Sequence, residues 1–470
     1  MSKENLRQKI KAMAILLISL PLIAQPLLLL PEESAQAFFG LTPSTSTGLC
    51  TSFCLDNGDY CIFGTNQDNT LEMGLLFVNK RHVQKTTWDP NTSGEFTHWN
   101  SRYGSVTVNF VGYQMAWAGM NEAGLMISTM SLPETHGPTP DERPPFETPF
   151  WMQYQLDNHI TVDQVIASDA EIRPAESAVD HYLVCDRMGA CATLEFIEGK
   201  LVYHTSESLP VKVLTNTTYD DSVSAWEESQ LGRSHPEDNS LWRFITAANR
   251  VGAFEPSSSD EAVAYAFDTL AAVSRQDTVW SFVFDPANLR VYFRTNHNPR
   301  IRYLDLSTLD FSCSTPVRLL DIHADVSGNI SDELVAYTHV ASFAHSTNFF
   351  SQYEGVSMSP FIVDTLLWGL ESFSCQDGDI SAQADLVHYR PLLPPTVGWA
   401  GLTILHRVGP TWILLIMLSL AFIIWRMFMD QPMSLGQCFI WVLLATLLGP
   451  CALLAYLLFR QKKRRMARAA

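Results

Sequence analysis

Residues 50–66 have the sequence CTSFCLDNGDYCIFGTN, which predicts a β-hairpin. Aromatic and β-branched residues, the types favoured in strands, lie on both sides of the dipeptide Asn57-Gly58. Asn-Gly is typical of the tight turns that join antiparallel strands. A hairpin folded about this dipeptide would place Cys54 opposite Cys61. The ordered fold is therefore expected to begin at Cys50.

Strand and helix patterns follow one another downstream of this hairpin. Strand patterns, rich in β-branched and aromatic residues, occupy residues 73–83, 105–120, 124–132, 181–205 and 279–295. Helical spacing of apolar residues occupies residues 149–167, 240–251 and 258–273. Strands at both ends with helices between them predict an α+β layered sandwich over residues 50–311.

The N-terminus has the pattern of an export signal. Four basic residues and one acidic residue lie within residues 1–11, and an apolar run follows at 13–30. Ala35 and Ala37 form an A-x-A cleavage pattern, which predicts a signal peptide over residues 1–37. An uncleaved membrane anchor is the alternative, because the apolar run is long. Residues 38–49, rich in Ser, Thr, Gly and Pro, are expected to form a short leader.

The C-terminal part of the chain has the pattern of a membrane anchor. The successive predictions are a helical extension over residues 312–390, a Pro-rich linker over 391–410, two transmembrane segments within 411–459 (411–428 and 438–459) and a basic tail over 460–470. Two buried core helices are the alternative for the apolar segments. Export of the body followed by two spans would leave the basic tail outside, against the positive-inside tendency, so the topology of the tail stays open.

The charge distribution excludes one class of partner. The formal net charge is −18, and the basic ends leave residues 12–459 with 21 positive and 48 negative charges, a net of −27. So acidic a body would be repelled by phosphates, which argues against a nucleic-acid partner. Hydrophobic residues make up 47% and charged residues 17%, so the chain is neither disordered nor typical of a wholly soluble protein.

Seven of the nine cysteines lie outside the apolar C-terminal segments. An odd number in an exported domain leaves one thiol reactive or paired with another molecule. The pairing hypothesis is Cys54 with Cys61, Cys185 with Cys191 across a short loop at 187–189, and Cys313 with Cys375. Cys50 is then the cysteine left over. Half of a disulfide and a lipoprotein site are the plainer alternatives for Cys50.

Common catalytic motifs are absent from the sequence. It contains no H-E-x-x-H, no G-x-S-x-G, no P-loop and no G-x-G-x-x-G. Neither a metal nor a dinucleotide cofactor is therefore predicted.

Five short motifs occur in an order that resembles a known family. They are CTSF at 50–53, FGTNQD at 63–68, GMNEAGL at 119–125, LTN at 214–216 and SLWRF at 240–244. Over residues 50–311 the chain is similar to the choloylglycine hydrolase family, which includes penicillin V acylases and bile salt hydrolases. These enzymes are N-terminal-nucleophile hydrolases of linear amide C–N bonds. The resemblance implies a four-layer αββα sandwich and no cofactor.

The resemblance also implies roles for individual residues. Cys50 would become the nucleophile after cleavage between Leu49 and Cys50, and its α-amino group would act as general base. Asp68 matches the aspartate that orients the amino group and thiol, and Asn216 matches the asparagine that donates to the oxyanion. Arg243 matches an arginine near the nucleophile. The backbone N–H of Ser131 is a possible second oxyanion donor.

Thr65 departs from the family pattern, because many members carry a basic residue there. A positive charge near the nucleophile is therefore expected to be missing. The leading hypothesis is a membrane-anchored, extracytoplasmic amidohydrolase that acts on a small N-acyl amide. The alternative is a non-catalytic, membrane-bound binding module that kept the fold. The sequence does not indicate an oligomeric state.

Overall fold

A computed structural model describes residues 50–58, 60–87, 96–176, 180–233, 236, 239–352, 360–371, 375 and 387–389. The predicted signal peptide, leader, linker, transmembrane segments and basic tail lie outside these residues. Among the helices that the structure describes, none is long and apolar enough to cross a membrane.

The described residues form strands and helices in the order that an α+β fold requires. The strands are β1 (Thr51–Asp56), β2 (Cys61–Asp68), β3 (Leu75–Asn79), β4 (Gln84–Thr86), β5 (Phe96–Asn100), β6 (Ser105–Asn109), β7 (Ala118–Asn121), β8 (Met126–Ser131), β9 (Pro145–Phe146), β10 (Arg173–Pro174), β11 (Asp180–Cys185), β12 (Cys191–Ile197), β13 (Lys200–Thr205), β14 (Val213–Leu214), β15 (Thr278–Asp285), β16 (Arg290–Thr295), β17 (Arg302–Asp305), β18 (Arg318–Asp321), β19 (Gly328–Asn329), β20 (Val335–Ala336) and β21 (Val387–Tyr389). The α-helices are α1 (Thr148–Asn158), α2 (Val162–Ala167), α3 (Tyr219–Gln230), α4 (Ser240–Gly252), α5 (Ser259–Ala272), α6 (His339–Gln352) and α7 (Pro360–Glu371).

Two large sheets contain most of the strands. The first sheet has the order β14-β1-β2-β15-β16-β17-β19, and the second has the order β13-β12-β11-β8-β7-β6-β3-β18-β20. Neighbouring strands are antiparallel, except that β17 and β19 are parallel. A three-stranded sheet (β21-β5-β4) and a parallel pair (β9 with β10) complete the described strands.

The first sheet lies between the second sheet and a helix. Thr65 Oγ1 in β2 lies 2.9 Å from Ser128 Oγ in β8 of the second sheet. The next residue, Asn66, donates from Nδ2 to Leu270 O of α5 at 2.8 Å. Successive side chains of a strand point to opposite faces, so one face of β2 packs on the second sheet and the other on α5.

The second sheet likewise lies between the first sheet and a helix. In β11, His181 lies against Thr215, next to β14 of the first sheet, at 2.5 Å. The following residue, Tyr182, donates to Thr148 Oγ1 of α1 at 3.2 Å. The layers therefore run helix, sheet, sheet, helix, and the α+β class predicted from the sequence is confirmed.

The first hairpin forms with a longer turn than its sequence predicts. Asp56 pairs with Cys61, so residues 57–60 make the turn. Side-chain oxygens of the loop accept its own backbone N–H groups, which stabilises this longer turn. The prediction that Cys54 lies opposite Cys61 is wrong, because Cys54 pairs with Phe63.

The sulfur atoms of Cys54 and Cys61 nevertheless lie close together. The pairs at bonding distance are Cys185 with Cys191 and Cys313 with Cys375. The Sγ atoms of Cys54 and Cys61 are neighbours on one face of the hairpin, 3.4 Å apart and not bonded. Cys50 is unpaired and buried. Among the seven cysteines that the structure describes, it is therefore the one that neither bonds nor has a sulfur neighbour at such a distance.

Residues 312–390 contain strands as well as the helices that their pattern indicates. Helices α6 and α7 form there, but β18 pairs with β3 in the second sheet and β19 pairs with β17 in the first. Strands of two to four residues are too short to show a period in the sequence, so only pairing with distant strands reveals them. This segment therefore extends the two sheets.

Candidate active site

Five residues singled out in the sequence meet at one end of β1. Their positions are Cys50 directly before β1, Asp68 at the end of β2, Ser131 at the end of β8, Asn216 just after β14 and Arg243 in the first turn of α4. Hydrogen bonds join Cys50, Arg243, Asn216 and Ser131, and an ion pair between Arg243 and Asp68 adds the fifth residue. The predicted roles of these residues stay predictions, whereas their proximity is a structural observation.

Cys50 is almost wholly buried, with 2% of its surface exposed. Burial raises the pKa of its thiol well above the usual range, and the Asp68 carboxylate raises it further. A hydrogen bond from the Asp68 backbone N–H and the charge of Arg243 oppose this shift without cancelling it. The thiol is therefore protonated at neutral pH in the intact chain, and activation requires a change in its surroundings.

Arg243 connects the nucleophile candidate to the oxyanion candidate. Its Nη1 donates to Cys50 O and, at 2.7 Å, to Thr51 Oγ1, while its Nη2 donates to Asn216 Oδ1 at 2.9 Å. Helix α4 places it there because Asn239 caps the helix, its Oδ1 accepting a backbone N–H of the first turn at 2.6 Å. The rigid fork of a guanidinium suits several acceptors at once.

Asn216 is oriented from several directions. Its Nδ2 donates to Ser131 O at 2.8 Å, and its backbone N–H donates to Ser240 Oγ at 2.9 Å. Ser131 thus enters the site through its carbonyl oxygen, and the donor role predicted for its N–H is untested. Both residues are half-buried, so they lie at the rim of the site rather than in the core.

Asp68 is fully buried, and one of its oxygens lacks a hydrogen bond. Oδ1 accepts from Thr278 Oγ1 at 2.6 Å, whereas Oδ2 has no hydrogen-bond partner among the described residues. Two guanidinium groups lie near Oδ2, with Arg243 Nη1 at 4.0 Å and Arg275 Nε at 3.9 Å. Burial raises the pKa of Asp68 to about 7, while Thr278 and the arginines lower it. A donor beside Oδ2 would therefore stabilise the carboxylate.

Thr65 occupies a polar contact between the sheets. Its Oγ1 accepts from Ser52 Oγ at 2.9 Å and lies 2.9 Å from Ser128 Oγ. Thr65 is buried, so a long basic side chain at this position would have to displace these hydroxyls. The expectation that a positive charge near the nucleophile is missing at this position stays a prediction; the guanidinium of Arg275 lies near Asp68, with its Nε 3.9 Å from Oδ2.

Several contacts of the site were not predicted from the sequence. Arg275 and Thr278 reach Asp68 because β15 pairs with β2, with Thr278 in register with Asp68. Ser240 reaches Asn216 because α4 packs beside β14. Arg275 and Thr278 lie outside the five motifs, and the SLWRF motif that contains Ser240 does not indicate its partner, so only the three-dimensional pairing reveals these contacts.

Asparagine in place of Asp68 will reduce the pH dependence of stability in the uncleaved chain. The folded pKa of about 7 lies above the ordinary value of 3.8, so the folded state keeps a proton that the unfolded state loses as pH rises. Between pH 4 and pH 8, the free energy of unfolding of the parent chain with Asp68 should fall by up to about 4 kcal/mol more than that of D68N. Urea unfolding in detergent, with cleavage blocked by Cys50→Ala, measures this loss.

The matched control is Asp277→Asn, a partly exposed carboxylate in the loop that holds Arg275. This variant should keep most of the pH dependence of the parent, because the charge of Asp277 raises the pKa of Asp68 less than burial does. Equal pH slopes for D68N and the parent would contradict the raised pKa of Asp68.

A cysteine cluster is the one possible metal-ligand group among the described residues. The Sγ atoms of Cys54, Cys185 and Cys191 lie within 4.8 Å of one another. Two of them are already at bonding distance from each other, so they do not offer free thiolate ligands. The cluster does not include Cys50.

Comparisons with known proteins match much of the described chain to one family. Residues 50–252 match the model of the family described as linear amide C–N hydrolases, choloylglycine hydrolase family. The penicillin V acylase of Pectobacterium atrosepticum is 26% identical over 331 residues, covering 59% of this chain and 86% of that protein.

Solved structures are similar as well. Penicillin V acylase from Agrobacterium tumefaciens superposes with a TM-score of 0.53 at 25% identity, covering 62% of this chain and 98% of that one. A mutant conjugated bile acid hydrolase from Clostridium perfringens gives a TM-score of 0.49 at 15% identity, covering 59% and 98%.

Proposed function

Because residues 50–252 match the model of the choloylglycine hydrolase family of linear amide C–N hydrolases, we propose that the chain hydrolyses a small N-acyl amide with Cys50 as nucleophile. The observation that carries this proposal is the set of contacts around Cys50. Arg243 binds its carbonyl oxygen and the Asn216 side chain, and the buried carboxylate of Asp68 lies beside its thiol. These groups can activate a thiol and stabilise an oxyanion.

Activation begins with cleavage between Leu49 and Cys50. In the intact chain the nitrogen of Cys50 is an amide, which carries no charge. Cleavage creates an α-amino group with an ordinary pKa of about 7.7–8.0. An ammonium beside the thiol favours the thiolate, and Asp68 Oδ2, which lacks a hydrogen bond in this region, is the acceptor suited to it.

The proposed reaction is an acyl transfer in two steps. The Cys50 thiolate attacks the amide carbon, a C–S bond forms, and the carbonyl oxygen becomes an oxyanion. Asn216 Nδ2 donates to that oxygen, a type of contact worth about 2.7–4 kcal/mol. The C–N bond breaks as the α-ammonium protonates the leaving amine. Water, deprotonated by the α-amino group, then hydrolyses the thioester and releases the acid.

The site of action is proposed to be outside the cytoplasm, at a membrane. The basic start, apolar run and A-x-A pattern at the N-terminus support export, and the apolar segments within 411–459 support anchoring. The relative from Pectobacterium atrosepticum is named for penicillin V, which is an N-acyl amide, so small N-acyl amides form the substrate class proposed here.

Intact mass and activity together test the proposal. The mature chain should begin at Cys50 and should hydrolyse at least one member of a panel containing penicillin V, conjugated bile acids and acyl homoserine lactones. An active sample whose chain begins at residue 38 would refute the processing. A processed chain whose Cys50 does not react with a thiol probe, and which turns over none of these amides, would favour the non-catalytic binding module.

Thiol mapping of the exported protein should find Cys50 reduced and three disulfides formed. Cys54 and Cys61 are 3.4 Å apart, so oxidation requires only a small side-chain movement. Alkylation before and after reduction, followed by mass spectrometry, measures each cysteine. Protein expressed without its export signal in a reducing cytoplasm is the control. Recovery of Cys50 in a disulfide would contradict both the pairing and the catalytic role.

A further inference from the structure

His181 is wholly buried between the two sheets. It contacts Thr215, the residue directly before the proposed oxyanion donor Asn216. Its Nε2 lies 2.5 Å from Thr215 O, and its Nδ1 lies 2.9 Å from Glu195 Oε1 in β12. Carbonyl and carboxylate oxygens are acceptors, so each ring nitrogen must carry a hydrogen for both contacts to be hydrogen bonds. Neutral imidazole has only one N–H. With Glu195 ionised, both contacts are hydrogen bonds only in the imidazolium form.

Glu195 supplies the matching negative charge. It is 2% exposed, and its two oxygens accept the backbone N–H of Tyr219 at 3.0 and 3.2 Å. Tyr219 is the first residue of α3, and the N-terminus of a helix favours an anion. The ion pair between His181 and Glu195 thus has hydrogen bonds on both sides, which is the condition under which a buried pair is stable.

The peptide group between Thr215 and Asn216 is held at both of its polar atoms. His181 binds its carbonyl oxygen, and Ser240 Oγ accepts its N–H at 2.9 Å. Ser240 lies one turn before Arg243 in α4, the residue that binds the Asn216 side chain. Rotation of this peptide would break both contacts and would move the Asn216 amide.

We propose that His181, as an imidazolium paired with Glu195, is a positioning residue that holds the Asn216 amide in place for the oxyanion. This inference rests on the proposed function for its kinetic consequence. It assigns His181 no contact with substrate, because the side chain acts from within the core through the backbone of Thr215.

Kinetic measurements on two variants of His181 test whether it positions the Asn216 amide for catalysis. His181→Leu should lower kcat by about 10- to 100-fold, less than loss of a whole oxyanion donor, and should change KM by less than about twofold. His181→Gln can still donate to Thr215 O, so it should recover part of kcat. In an Asn216→Ala background, His181→Leu should cause little further loss, because its effect passes through Asn216.

Tyr182→Phe is the matched control. It removes a buried hydrogen bond from the adjacent residue of β11, on the face that packs on α1. It should lower stability without lowering kcat. Equal kcat losses in the control and in His181→Leu, or additive losses with Asn216→Ala, would overturn the proposal.

Nitrogen NMR of chains labelled at histidine and asparagine needs no turnover. Both ring nitrogens of His181 should carry a hydrogen in the folded chain, and the Asn216 side-chain amide signals should shift in His181→Leu but not in Tyr182→Phe. An unprotonated ring nitrogen, or unmoved Asn216 signals, would overturn the inference. A wild-type chain that hydrolyses no amide but passes this test would refute the proposed function alone.

Discussion

Alanine in place of Cys50 will lower hydrolysis of every amide substrate by about 10⁴-fold or more and will leave the bond after Leu49 uncut. Removal of a nucleophile that forms a covalent intermediate eliminates the reaction path, so the loss should exceed that of any supporting residue. The contacts of Arg243 with the Cys50 carbonyl do not involve the thiol, so the variant should fold. Turnover of the most reactive amide and the intact mass of the chain measure the two effects.

Cys54→Ala is the matched control for this substitution. Cys54 is a second buried thiol on the same face of β1, four residues further along the strand. Its replacement should lower stability, because it removes the proposed disulfide with Cys61, but should keep activity within a few-fold. Activity of C50A above about a tenth of the wild-type value would place the nucleophile at another residue.

The sequence predicted the parts of the site that lie within short motifs. Cys50 lies just before the first strand of the hairpin and Asp68 ends the second strand, so both lie at the open end of the hairpin. Strand pairing alone therefore brings them together. Asp68, Asn216 and Arg243 were found through the family resemblance rather than through a physical pattern, and the partners of Asn216 and Arg243 lie far away in the sequence. The α+β class followed from strand and helix periods that local segments contain.

Contacts that depend on register or on distant pairing were not predictable in this way. The Asn-Gly turn indicated a two-residue loop, but side-chain contacts favoured a four-residue loop and shifted the partner of Cys54 to Phe63. Arg275 reaches Asp68 only because β15 lies beside β2. A single sequence contains the residues for such contacts but does not specify which strands become neighbours.

Methionine in place of Arg243 will lower kcat/KM by about 100-fold or more and will destabilise the fold by about 3–5 kcal/mol. The side chain is fully buried, and its loss leaves the carbonyl of Cys50 and the Asn216 amide without their shared donor. It also removes one of two cations near Asp68, whose burial then costs more. Lysine should restore little activity, since one ammonium cannot reproduce the guanidinium fork.

Arg250→Met tests whether these losses are specific to the site. Arg250 lies two turns further along α4, half-buried, with Nε donating to Thr269 Oγ1 at 3.0 Å and its guanidinium over the Tyr265 ring. Its replacement removes an arginine of the same helix without touching Cys50 or Asn216, so activity should stay within a few-fold while stability falls modestly. If R250M and R243M lose equal activity, general disturbance of α4 explains both. If only R243M loses activity at a temperature where both variants are folded, Arg243 acts through its contacts with the nucleophile and the oxyanion donor.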